Sequence, residues 1–163
     1  LSDELRELMR NDSIEITLPN LITWGNKIRE TYGADYLAKR VFEKIQQQTA
    51  AGSTLFIIDS IRNPAELTLL KKVYPHFLMI AVDAPLKLRY ERVQARARED
   101  DQQSFEEFKH NEEVQMQTKD KTKQQLKVIM DNADVTLINE GTLDELKENL
   151  DKALQAHHSS HPS

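Results

Sequence analysis

The sequence Asp59-Ser60-Ile61-Arg62-Asn63-Pro64 presents a carboxylate and a guanidinium three residues apart, immediately after an apolar run. A carboxylate placed there can ligate or water-bridge Mg²⁺, or take a proton from an attacking hydroxyl; an arginine beside it can fork onto a phosphate. The same spacing equally fits Asp59 capping the next helix and Arg62 pairing with a neighbour. Arg89, Arg92 and Arg96 recur at three- and four-residue spacing, so a helix would set them on one face, with Arg98 off it near the helix end. Such a row suits a triphosphate, because each guanidinium offers planar donors and keeps its charge. A solvated face balanced by Glu91, Glu99, Asp100 and Asp101 is the plainer reading. Asp3 and Arg6 share one face of a first helix; alone they amount to a surface ion pair of small worth. Asn139-Glu140-Gly141-Thr142 is a turn whose backbone can meet a base edge, although such turns are common.

Several chemistries are absent from the sequence. It has no cysteine, which removes disulfides and thiolate metal sites and fits a reducing, cytoplasmic setting. H-x-E with a later P-C-x-x-C is missing, and so is a G-x-S-x-G elbow. The four glycines, Gly25, Gly33, Gly52 and Gly141, are too far apart for a G-x-x-x-x-G-K-[ST] phosphate cradle. A net charge of −5 leaves no electrostatic footprint for a nucleic-acid polymer. The longest apolar runs, 55–58 and 77–82, are far shorter than a bilayer span. His157 and His158 sit in a Ser- and Pro-containing end that reads as a disordered tail, 157–163, after a single domain over 1–156.

The elements that must position these groups follow from periodicity. Ser2 is placed to cap a first helix from residue 3, with Leu5 and Leu8 on one face. Pro19 suits the first turn of a second helix that Gly33 ends; Leu37, Val41, Phe42 and Ile45 mark a third over 35–49. Continuous apolar runs at 54–58 and 77–82, and a shorter one at 135–138, read as strands buried on both faces. Helices are expected over 64–73, 85–99, from Ser104, over 115–130 and from Thr142. Strands alternating with helices specify a three-layer α/β/α domain with a parallel sheet, whose strands end at Asp59, Asp83 and Asn139. Ligands collect at such strand ends.

Taken in order, Leu1-Ser2-Asp3-Glu4-Leu5-Arg6, Gly25-Asn26-Lys27-Ile28-Arg29-Glu30, the Asp59–Pro64 segment, Asp83-Ala84-Pro85, Arg89-Tyr90-Glu91-Arg92, Arg96-Ala97-Arg98 and Asn139-Glu140-Gly141-Thr142 resemble P-loop kinases. The likeness is to the adenylate kinase and dephospho-coenzyme A kinase-like group, also found fused to deoxycytidylate-deaminase-like domains. It covers about residues 1–154. It implies an ATP- and Mg²⁺-dependent phosphotransferase acting on a small hydroxyl- or phosphate-bearing acceptor, or a nucleotide-binding regulatory domain of a deaminase-type protein. By the same resemblance Arg6, with Asp3, Arg29 and Arg62, holds the acceptor, and Asp59 is the strand-end carboxylate near metal and acceptor. Arg92, Arg96 and Arg98 close over the ATP phosphates, with Arg92 and Arg96 contributing to catalysis, and Asn139 and Gly141 lie beside the adenine. The family's opening strand and phosphate loop are not in this sequence. The resemblance therefore implies a gap between the strands ending at Asp59 and Asp83, filled by an upstream segment or a partner chain, and an inactive chain without it.

Overall fold

A computed structural model describes residues 1–96, 103–117 and 125–160. In chain order the elements are α1 (Ser2–Asn11), α2 (Leu18–Tyr32), α3 (Tyr36–Ala50), α4 (Pro64–Val73), β1 (Ile80–Asp83), α5 (Leu86–Arg96), α6 (Phe105–Gln117), α7 (Leu126–Asp131), β2 (Val135–Ile138) and α8 (Leu143–Ser160). β1 and β2 pair in parallel, Ile80 opposite Val135 and Asp83 opposite Ile138. The fold is mixed α/β, mainly helical around a small parallel sheet.

Helix boundaries follow local chemistry. The Thr17 hydroxyl accepts from Asn20 N at 3.3 Å to start α2, with Pro19 in its first turn, and Gly33, at φ 107°, ends it. Asn63 caps α4 in a capping box, its side chain taking the Ala65 N–H while Glu66 reaches back to the Asn63 N–H. Ser104 with Glu107 and Thr142 with Glu145 make the same reciprocal pattern at α6 and α8. α1 differs from its expected start: Leu1 occupies the cap position, and the Ser2 hydroxyl instead accepts from Arg6 Nη1.

The core lies in the first half of the chain. Leu5 and Met9 on α1, Leu21 and Ile28 on α2, Leu37 and Ala38 on α3, and Leu67 and Leu70 on α4 form one buried cluster, joined by Ile61 and by Ile129 of α7. Buried Glu4 adds a polar tie from α1 to α3, accepting from Arg40 Nε at 3.2 Å and from Lys44.

The expected three-stranded sheet is a correction. Residues 54–59 carry no ladder, and Leu55 and Ile57 are 85% and 92% exposed while Phe56 and Ile58 are half-buried. An apolar run reports a strand-like segment but says nothing about whether a neighbouring strand is there to pair with it. β1 is also shorter than the expected 77–82. α5 has no buried residue and ends in the described chain at Arg96, so Arg98 lies outside the described residues. The expected helix over 115–130 appears as the end of α6 and as α7, with 118–124 outside the described residues. α8 runs to Ser160, through His157 and His158, where a tail was expected; residues 161–163 lie outside the described residues.

Candidate functional site

Between α1, α2 and the 59–62 loop on one side, and the end of β1 with α5 and α6 on the other, lies a cleft of about 620 Å³. Asp3, Arg6, Arg29, Asp59 and Arg62 all line it, and Arg96 reaches it from α5. Five residues separated by up to 59 positions thus meet because α1 and α2 pack through Leu5, Leu21 and Ile28, which turns their polar faces toward the same opening.

Within the cleft the charges are graded by depth. Asp59 stands at the mouth with its side chain 77% exposed, and its backbone carbonyl takes a hydrogen bond from Leu1 N at 2.9 Å. Asp3 is exposed as well and sits 3.9 Å from Arg6 Nη1. Deeper in, Arg62 is half-buried and donates to the Ser60 carbonyl at 3.3 Å. Burial lowers the Arg62 guanidinium's affinity for its proton; Glu66 opposes that shift, and Arg29 and Arg6 add to it. Three cations are therefore within electrostatic reach of one another, with the carboxylates of Glu66, Asp59 and Asp3 beside them. Ser60 adopts φ 61°, a left-handed backbone uncommon for a residue with a side chain, and this bend turns Asp59 and Arg62 into the same opening.

Deepest of all is Arg29, 3% exposed, with Glu66 behind it at 0%. Arg29 Nε and Nη2 each lie 3.0 Å from Glu66 Oε1, while Glu66 Oε2 accepts the Arg62 and Asn63 N–H groups at 2.8 and 3.0 Å. One carboxylate thereby caps α4, fixes the loop carrying Arg62 and orients Arg29. Glu66 was not singled out from the sequence. The Asn-Pro-Ala-Glu spacing was a readable signal for its capping role; its pairing with a residue 37 positions away was not.

The second half of the chain uses its arginines differently. Arg89, expected in a phosphate row, is bound to Asp83 at 2.7 Å, to the Ala84 carbonyl and to both oxygens of Glu112, tying the end of β1 to α6. Arg92 donates to the carbonyls of Asn139 at 2.8 Å and Gly141 at 3.2 Å, holding the turn after β2. That turn lines a separate hollow with Glu145 and Asn149, and Arg92, Asn139 and Gly141, expected at the phosphates and the adenine, do not line the main cleft.

The described residues contain no cluster of three metal-ligating side chains. A Mg²⁺ ion held by one carboxylate and by substrate phosphates needs no such cluster, and the exposed Asp59 fits that mode. No helix among the described residues is long and apolar enough to cross a membrane.

No protein-family model matches the chain. It is 32% identical over 155 residues to a UPF0200/UPF0201 protein of Archaeoglobus fulgidus, covering 94% of this chain and 46% of that protein. A UPF0200 protein of Methanothermobacter thermautotrophicus is 30% identical, with 79% and 63% covered. The chain thus spans less than two thirds of the length of these two relatives. With a UPF0200 protein of Sulfurisphaera tokodaii the identity is 32% over 157 residues, covering 95% of this chain and 80% of that protein. By that similarity the chain belongs to the UPF0200 family.

Proposed function

We propose that this domain transfers the γ-phosphoryl group of ATP to a small phosphate- or hydroxyl-bearing acceptor seated in the cleft. The observation that carries the reading is the meeting of Arg6, Arg29, Arg62 and Asp59 at one opening beside the carboxyl end of β1. Guanidiniums from α1, α2 and the 59–63 loop bind and orient the acceptor's anionic group, and Asp59 stands at the mouth to take the proton of an attacking hydroxyl. As the acceptor oxygen bonds to the γ-phosphorus, the bond to the β–γ bridging oxygen breaks and ADP leaves. Mg²⁺ beside Asp59 would neutralise phosphate charge. Arg96, which lines the α5 side of the cleft, would face the triphosphate in this reading.

The reading includes a three-layer, P-loop kinase-like domain in which a further strand lies between residues 54–58 and β1. It would come from an upstream segment or a partner chain and would bring the glycine-rich phosphate loop. The absence of a ladder at residues 54–58, with Leu55 and Ile57 exposed, supports this, since a missing neighbour leaves an apolar run without backbone partners and without cover. A second reading, a nucleotide-sensing domain that regulates a deaminase-type partner without turnover, is favoured by Arg92, whose donors serve backbone carbonyls.

A coupled ADP-release assay on the intact gene product, run across nucleotide and pantetheine acceptors, tests the proposal. Acceptor-dependent ADP formation that falls at least about tenfold in Asp59→Asn is expected. ATP bound without turnover would favour the sensing domain, and no ATP binding at all would remove both readings.

A further inference from the structure

On the α5–α6 wall of the cleft a guanidinium fork is filled from within the chain. Arg89 on α5, Glu112 on α6 and Asp83 at the end of β1 all line the opening. Arg89 Nε lies 3.1 Å from Glu112 Oε1 and Nη2 donates to Oε2, so one carboxylate takes the paired donors that fit a phosphoryl group equally well. The other edge of the guanidinium is anchored independently. Nη1 donates to Asp83 Oδ1 at 2.7 Å and to the Ala84 carbonyl, while Ala84 N donates to the same Asp83 oxygen at 2.8 Å. Arg89 therefore keeps its place at the strand end when Glu112 leaves. The pair is also open to exchange: its side chains are 28% and 24% exposed, against 2% and 0% for Arg29 and Glu66, and a partly solvated ion pair is far more easily broken than an enclosed one. α6 has a second, separate attachment. Phe105 and buried Phe108 pack against the Tyr90 ring, with centroids 5.3 and 5.6 Å away. Glu112 sits one turn beyond Phe108, so its release loosens the later part of the helix and leaves the aromatic anchor intact.

We propose that the Arg89–Glu112 pair is an autoinhibitory latch on the cleft: Glu112 stands in the fork that an incoming phosphoryl group takes over, and that exchange frees the later part of α6. The inference rests on reading the cleft as an anion site and adds the regulation of that site. With the latch closed, Asp83 and Glu112 outnumber Arg89 on this wall, which holds off stray anions. A phosphoryl group brings about twice the charge of the carboxylate and a third acceptor oxygen, so it displaces Glu112 where a carboxylate ligand such as acetate does not. Apparent affinity is lowered by the fraction of molecules in which Glu112 holds the fork, so removing the Glu112 charge raises it.

The test is a titration of the intact gene product with inorganic phosphate, and in parallel with acetate, while hydrogen exchange is followed in residues 109–117. Phosphate is expected to bind saturably and to speed exchange there; acetate is expected to do neither. Glu112→Gln, which keeps the shape and loses the charge, should bind phosphate about tenfold more tightly and show the faster exchange before any phosphate is added. Glu112→Asp, one methylene shorter and still charged, should fall between the two. Arg40→Gln, whose side chain serves Glu4 and Glu7 away from the cleft, should behave as the unmodified protein does. A pair that merely braces the wall predicts the opposite sign, with phosphate bound no more tightly once Glu112 is neutralised. That result would overturn the proposal. So would exchange in residues 109–117 of the unmodified protein that phosphate leaves unmoved, a measurement that needs no variant to fold. Phosphate that releases α6 in a protein that never consumes ATP would retain the latch and remove phosphotransfer. ATP turnover with phosphate binding indifferent to Glu112 would do the reverse.

Discussion

The two halves of this chain are held together by different forces. In residues 1–79 a shared apolar core, with Met9, Leu37 and Leu70 almost wholly enclosed, packs four helices and encloses the Arg29–Glu66 pair. From β1 onward ionic and backbone-directed ties, Arg89 to Asp83 and Glu112, Arg92 to the turn after β2, and Asp134 to Met79, stand beside a smaller apolar contact of Tyr90 with Phe105 and buried Phe108. Val82, Ile138 and Leu143 remain exposed there. The difference assigns separate tasks to the two halves. A dense core encloses the Arg29–Glu66 ion pair, whereas Val82 and Ile138 of the two paired strands stay largely in water. The candidate cleft runs along the seam between them.

The contrast predicts that the largest single loss comes from the buried pair. Glu66→Ala leaves Arg29 enclosed and unpaired and also removes the acceptor for two N–H groups, so a destabilisation of about 3–5 kcal/mol is expected in urea unfolding. A change below about 1 kcal/mol would mean that the first half is less tightly enclosed than its burial indicates.

A smaller effect is expected where the strands begin. Asp134 accepts from Met79 N and from Lys71 Nζ, both at 2.8 Å, while the Asp134 N–H donates to the Met79 carbonyl. Burial alone would raise its carboxyl pKa, but Lys71 and the Met79 N–H outweigh it and the net shift is downward. A lowered folded-state pKa contributes stability that is present above the unfolded value and lost as pH falls through the folded one. Asp134→Asn should therefore cost about 0.5–1 kcal/mol near neutrality, a modest figure because the pair is partly solvated. The gap between variant and unmodified protein should close below about pH 4, as thermal unfolding across pH would record.

The smallest effect on stability is expected at the bare segment. With Leu55 and Ile57 already in water, replacing both by lysine should change the unfolding free energy of this chain by less than about 0.5 kcal/mol. In the intact gene product the same replacements should abolish any activity that depends on a strand docking there. A large loss of stability in the isolated chain would show that these side chains are packed.

Much of the helical half was legible because its signals are local. Pro19 in the first turn and Gly33 at the end marked α2, and Pro64 marked the start of α4, while the caps Thr17 and Asn63, the latter in place of Asp59, emerged only from the structure. That Arg6, Arg29, Arg62 and Asp59 line one cleft is a result of the fold; nothing in their spacing would have brought four scattered residues together. What escaped was whatever depends on distant neighbours. The run at 54–58 reads identically whether its flanks are paired or bare, and the spacing of Arg89 fits a phosphate row or a solvated face equally, with no sign of Glu112, 23 residues later, that pairs with it. Glu66 looked like an ordinary first-turn acid until Arg29 was found against it.

Hydrogen exchange on the intact gene product, with and without Mg-ATP, addresses the seam most directly. The proposed phosphate site predicts that nucleotide slows exchange together in residues 59–63 and at the end of β1, both of which line the cleft, while α3 is unaffected. Slowing confined to one of these segments, or found only on surfaces remote from the cleft, would contradict a shared phosphate site at the strand ends.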